Sequence, residues 1–121
     1  MICVSELILL RFVHYPPLPG NKNSYVVRTA KHTDINWLTI LPVETQSGLQ
    51  NLDHDNHWDY ISCNDDVLII TVGDMLAEAS QGYYRPTPHC VIHPAGKDAK
   101  KYEWYYHYFY MLAPNVVLSE R

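Results

Sequence analysis

Glycine is scarce in this chain, five of 121 residues, and the sequence also lacks a paired set of cysteines, a surplus of positive charge and any long apolar run. Few glycines beside eight prolines exclude a collagen-like or low-complexity polymer and predict stiff loops. Cys3, Cys63 and Cys90 form neither an even set nor a C-x-x-C spacing. That argues against a disulfide framework or a thiolate zinc site and points to a reducing, cytoplasmic setting. Nine Lys and Arg stand against thirteen Asp and Glu, a net charge of −4, so the basic footprint of a nucleic-acid or anionic-membrane binder is missing. The longest apolar run near the start, Leu7 to Leu10, is bounded by Glu6 and Arg11. A membrane-spanning helix needs roughly 20 such residues. The N-terminus shows no basic region followed by a small-residue cleavage site, so it does not read as a secretory signal.

What is present is a compact, aromatic-rich composition, 47% hydrophobic and 18% charged, with the length of one domain. Short runs rich in Val, Ile, Leu, Thr and Tyr recur between clusters of Pro, Gly, Asn and Asp. They predict about eight strands: Glu6–Tyr15, Ser24–Thr29, Trp37–Pro42, Gly48–Leu52, Trp58–Ser62, Val67–Val72, Pro88–His93 and Lys101–Leu112. Pro16-Pro17 and Pro19-Gly20 end the first, and Asn64-Asp65 is a turn before the sixth. Asp74 is placed to N-cap one short helix through Met75–Ala79, which Gly82 stops. Residues 102–110 hold five of the ten tyrosines, and alternation puts Trp104, Tyr106, Tyr108 and Tyr110 on one face with Tyr105, His107 and Phe109 on the other. The fold class expected is all-β, a jelly roll with at most one short helix, whose two sheets leave a cavity between them.

The chemistry-bearing residues begin with His32-Thr33-Asp34, where i, i+2 spacing in extended backbone sets an imidazole and a carboxylate on one side. With His89 arriving from a later strand, the set becomes two histidines and one carboxylate. That facial arrangement leaves three positions open on Fe(II), and Zn²⁺ accepts the same ligands. On spacing alone, a metal role and a role as ordinary hydrogen-bonded groups both stand. H-x-D is a loose pattern, because His57-Trp58-Asp59 satisfies it too. The second copy follows the polar stretch Asp53-His54-Asp55-Asn56 and reads as a solvated hairpin tip.

Several collinear stretches carry a more specific signal: Leu10-Arg11-Phe12-Val13-His14-Tyr15-Pro16-Pro17, His32 to Thr39, Ser47-Gly48-Leu49-Gln50, Val72-Gly73-Asp74-Met75-Leu76, Gly82 to His89 and Val116 to Glu120. In these the chain resembles the C-terminal catalytic half of the Fe(II)- and 2-oxoglutarate-dependent dioxygenases of the isopenicillin N synthase-like superfamily. The resemblance implies a double-stranded β-helix, Fe(II) on His32, Asp34 and His89, and 2-oxoglutarate as co-substrate. It implies an oxidoreductase that couples O₂ to oxidation of a small organic substrate, and a co-substrate contact from Tyr15. Gly73-Asp74 matches a structural turn of the family, and Trp37 and Thr39 read as cavity lining or core.

Two departures stand out. The family places an R-x-S pair on its last strand to grip the far carboxylate of 2-oxoglutarate, and here the matching positions hold Tyr105 and His107. Losing one partner of a buried charged pair costs roughly 3–5 kcal/mol, or about two to three and a half decades of affinity. Lys100, Lys101 or a protonated His107 would have to restore the charge. Otherwise the chain is a non-haem iron oxidase that does not use 2-oxoglutarate, or a non-catalytic metal-binding barrel. The second departure is extent: the chain is expected to be a single domain over residues 1–121 without the family's N-terminal helical region. A second copy or a missing segment would then cover the exposed face.

Overall fold

The computed structural model describes residues 4–17, 26–42, 48–62, 66–94 and 103–118. The beginnings of the second and eighth expected strands, the Pro19-Gly20 and Asn64-Asp65 breaks, Ser47, Ser119-Glu120, Cys3, Cys63, Lys100 and Lys101 lie outside the described residues. Eight strands are present among the described residues: β1 (Val4–Tyr15), β2 (Val27–His32), β3 (Leu38–Pro42), β4 (Leu49–Leu52), β5 (Trp58–Tyr60), β6 (Leu68–Val72), β7 (His89–Ile92) and β8 (Glu103–Leu112). They form two antiparallel four-stranded sheets, ordered β1-β8-β3-β6 and β2-β7-β4-β5. Consecutive strands β2 and β3 belong to different sheets, as do β6 and β7, so the chain alternates between layers as a double-stranded β-helix does. Among the described residues no helix is long and apolar enough to cross a membrane.

The strand ends differ from the sequence expectation in one place that matters. β2 runs on to His32, past the expected end at Thr29, so the His-x-Asp pair, which precedes β3 as expected, straddles the corner where the chain leaves one sheet for the other. The helix α1 (Asp74–Ala79) is confirmed, but its cap is corrected. Gly73 is the N-cap and no side chain caps the helix; Asp74 is its first residue. The N–H groups that a helix start leaves without internal partners go to backbone carbonyls of the corner: Asp74 to Asp34, at 2.7 Å, and Met75 to Asn36, at 3.2 Å. With those two donors taken by the chain itself, the helix starts without a side-chain cap. At the other end Gln81 (φ 54°) and Gly82 (φ 80°) turn the chain out of the helix.

The buried set mixes Leu41, Leu49, Cys90, Val91 and Leu112 with Asn36, Thr39, Thr71, His89 and His93. Polar groups are rarely buried without hydrogen-bond partners, so an interior this polar reads as a site rather than as packing. Outside, the β1–β8 pair carries Ile8, Leu10, Phe12, Trp104 and Tyr108 exposed on one face. Phe12 meets Tyr106 edge to face and His14 stacks on Trp104. Alternation had assigned these aromatics to one face, and the pairing register places them there.

Candidate metal centre

The corner after β2 is built by backbone hydrogen bonds before any side chain acts. Gly73 N–H donates to Trp37 O at 3.1 Å, and Trp37 N–H donates to Tyr110 O at 2.8 Å, tying the corner to the α1 start and to β8. Gly73 is required by proximity: a Cβ there would lie 1.9 Å from Asn36 O.

On this frame His32, Asp34 and His89 each present one donor atom, all within 4.8 Å of one another. Nε2 of His32 lies 3.6 Å and Nε2 of His89 lies 3.8 Å from Asp34 Oδ1. The remaining atoms of the three side chains are already committed. Nδ1–H of His32 donates to Ala30 O at 2.8 Å, and Nδ1–H of His89 donates to Thr87 O at 2.9 Å. A carbonyl only accepts, so both rings carry a proton on Nδ1 and turn Nε2, the nitrogen a metal would take, inward. Asp34 Oδ2 accepts from Thr39 Oγ1 at 2.5 Å and from Thr71 Oγ1 at 3.3 Å, while Asn36 Nδ2 donates to Thr39 Oγ1 at 2.9 Å. Oδ1 therefore points at the two imidazoles while Oδ2 is anchored behind. This is the outer shell by which proteins orient metal ligands, and two neutral imidazoles with one carboxylate fit a divalent ion such as Fe(II) or Zn²⁺. The site is open on one side, since the His32 side chain is 41% exposed against 10% for His89.

The second H-x-D copy goes elsewhere. Asp53 Oδ1 accepts from the N–H groups of Asp55 and His57, Asn56 turns through φ 63°, and the His57 side chain is 76% exposed. Those backbone hydrogen bonds hold the Asp53 carboxyl below its usual range. This is the solvated turn expected from its composition.

Deeper in, Tyr105 and His107 share the face of β8 opposite Val13 and Arg11 of β1. Tyr15 lies beside them, its ring edge to face with Tyr105 at 5.5 Å and its hydroxyl hydrogen-bonded to Thr29 Oγ1. Burial lowers the His107 pKa to about 4; Asp34 opposes the shift, and Arg11, His89 and His32 add to it. His107 is thus neutral at pH 7, which removes the protonated imidazole as a source of charge. Sequence reasoning missed three neighbours of the site: Thr71, Asn36, and Asn51, which pairs with His89 across β4–β7 and has a buried, unbonded Oδ1. Thr39 had been flagged, with Trp37, as cavity lining or core. Thr and Asn carry no local signal of such a role, because their partners are distant in sequence.

Two crossed antiparallel sheets with a His-x-Asp corner and a third ligand from a neighbouring strand define a double-stranded β-helix with a facial metal site. The family model of the 2OG-Fe(II) oxygenase superfamily matches residues 5–109, and the chain belongs to that superfamily. It is 40% identical over 90 residues to gibberellin 2-beta-dioxygenase 8 of Arabidopsis thaliana, covering 74% of this chain and 26% of that protein. It is 31% identical over 86 residues to the 2-oxoglutarate-dependent dioxygenase citB of Monascus ruber, covering 69% of this chain and 26% of that one. Among solved structures, a candidate oxygenase of Shewanella oneidensis superposes with TM-score 0.86 at 40% identity, over 98% of this chain and 45% of that chain. A Neurospora crassa protein solved in complex with alpha-KG superposes with TM-score 0.75 at 25% identity, over 87% of this chain and 36% of that one. The chain therefore spans about a quarter of the length of these curated relatives.

Proposed function

We propose that this chain is the catalytic barrel of a non-haem Fe(II)- and 2-oxoglutarate-dependent dioxygenase acting on a small organic substrate. The observation that carries the reading is the convergence of three donor atoms whose other polar atoms are each tied back to the protein. When bound, ferrous iron supplies O₂ activation coupled to decarboxylation of 2-oxoglutarate to succinate, leaving the hard chemistry to metal and co-substrate.

The protein's own part is positioning. His32, Asp34 and His89 would hold the ion, and three protein ligands would leave it coordination positions for a 2-oxo acid and O₂. Thr39 and Thr71 keep Asp34 from rotating its second oxygen toward the ion. Tyr15, Tyr105 and His107 line the co-substrate pocket as neutral groups, and no separate general base is called for. The neighbour solved with alpha-KG and the dioxygenase names of the relatives support this reading.

Anaerobic titration with Fe(II), with and without 2-oxoglutarate, tests it. The expected result is a weak visible absorption band of the chelated complex that His89→Ala abolishes together with iron binding. Iron binding with no band at millimolar 2-oxoglutarate would leave the oxidase or the non-catalytic barrel. No iron binding at all would overturn the site.

A further inference from the structure

A 2-oxo diacid held at the metal site through its keto end would carry its second carboxylate away from the ion and toward the protein. A desolvated carboxylate needs a cation or several convergent donors. Tyr105 offers one phenol where the resemblance expects an arginine. The neighbourhood nevertheless contains a guanidinium, and it comes from the other sheet.

Arg28 lies on β2, four residues before His32, and register irregularities on both sides of Thr29 make the span shorter than the roughly 13 Å of a regular strand, a gap that an arginine side chain and a five-carbon diacid can divide between them. Its Cζ sits 5.6 Å from the centroid of the Tyr15 ring, and that ring in turn touches Tyr105. Nη2 donates to Pro16 O and to His93 Nδ1, each at 2.8 Å. Both partners are neutral acceptors: a guanidinium has no lone pair to give, so His93 must accept and carries its proton on Nε2. The half-buried charge therefore has no carboxylate within ion-pair distance among the described residues. Nε is buried with no hydrogen-bond partner. A buried donor left in that state is costly, and an incoming acceptor would relieve it. Arg11, across β8 from His107, is exposed and solvated instead.

We propose that Arg28 anchors the distal carboxylate of a 2-oxo diacid, supplying from β2 the charge that Tyr105 withholds on β8. This rests on the functional reading above and names which residue selects the co-substrate class. The two Nη2 hydrogen bonds and the Tyr15 ring hold the guanidinium in place, so little side-chain freedom is lost when the acid binds.

The experiment compares 2-oxoglutarate with 2-oxopentanoate, which has the same chain without the distal carboxylate, by anaerobic absorption titration of the Fe(II) protein. Wild type should prefer the diacid by about 100-fold or more. Arg28→Gln should lose that preference while binding 2-oxopentanoate as wild type does, and Tyr105→Arg added to it should restore the preference. Arg28→Lys, which keeps the charge but not the planar fork, should fall between them and carries the test should the glutamine variant fail to fold. An Arg28→Gln protein that keeps the preference, or Arg11→Gln losing it instead, overturns the proposal. Wild type that binds iron but gives no band with either acid overturns the functional reading rather than the role of Arg28.

Discussion

Asp34 shows how much of this centre depends on atoms that never touch the metal. Its Oδ2 is held by Thr39, which is itself 1% exposed and held by Asn36, so the carboxylate has one orientation before any ion arrives. Thr39→Val keeps the shape and removes the hydroxyl. The expected outcome is a loss of roughly 10- to 100-fold in metal affinity with the fold intact, measured by competition against a chelator. An unchanged affinity would mean that Thr71 alone fixes the carboxylate. His32, Asp34 and His89 were legible in the sequence because ligand chemistry restricts which residue types serve, and the resemblance supplied the pairing. Thr39 was visible only as lining and Asn36 not at all, since a hydroxyl or amide gains its role from what lies 3 Å away.

The corner between β2 and β3 is where an element decides a site. The α1 N-terminus donates its free N–H groups to Asp34 and Asn36 carbonyls, so helix and ligand loop are one hydrogen-bonded unit. Gly73 is the point of closest approach, and Gly73→Ala would drive a methyl group into the Asn36 carbonyl. Overpacking against backbone costs about 1–3 kcal/mol, and a contact this close belongs at the upper end. The expected result is a lowered melting temperature together with weakened iron binding, because the displaced loop carries Asp34. A thermal scan with and without Fe(II) checks both. The sequence placed this helix correctly and its cap wrongly. An Asp before an apolar run is the ordinary signal for an N-cap, and the signal failed because the donors were satisfied from 38 residues or more upstream in the chain, by Asn36 and Asp34.

For the molecule as a whole, the buried histidines set the response to acid. His107 has its pKa lowered to about 4 by burial first, and His93 is lowered by burial and then by Arg28. Each binds its proton more weakly folded than unfolded, where a histidine titrates near 6.5. As pH falls through 6.5 the unfolded chain takes up protons that the folded chain refuses, so stability is present above that pH and is lost toward pH 4. The metal-free protein should melt at progressively lower temperature between pH 6.5 and about 4, and His107→Asn should flatten that slope. A slope unaffected by the variant would assign the acid sensitivity to other groups. The outer face of β1–β8, with Ile8, Leu10, Phe12 and Trp104 exposed, is the other whole-molecule feature. Period-two alternation identified its aromatics from the sequence, because side-chain direction in a strand depends on parity alone.

The amino-acid sequence by itself determined the strand pattern, the short helix and the solvated-turn character of the second H-x-D copy, and with the resemblance it singled out His32, Asp34 and His89 as the candidate ligand set. Each of these depends on local pattern or on residue chemistry. Only the tertiary structure decided that His32 ends a strand at a sheet crossing, that Asp34 is locked by Thr39 and Thr71, that His107 is neutral, and that Arg28 lies over Tyr15. Hydrogen bonds, desolvation and charge act over a few ångströms of space, and the two-sheet winding brings together there residues that lie far apart along the chain.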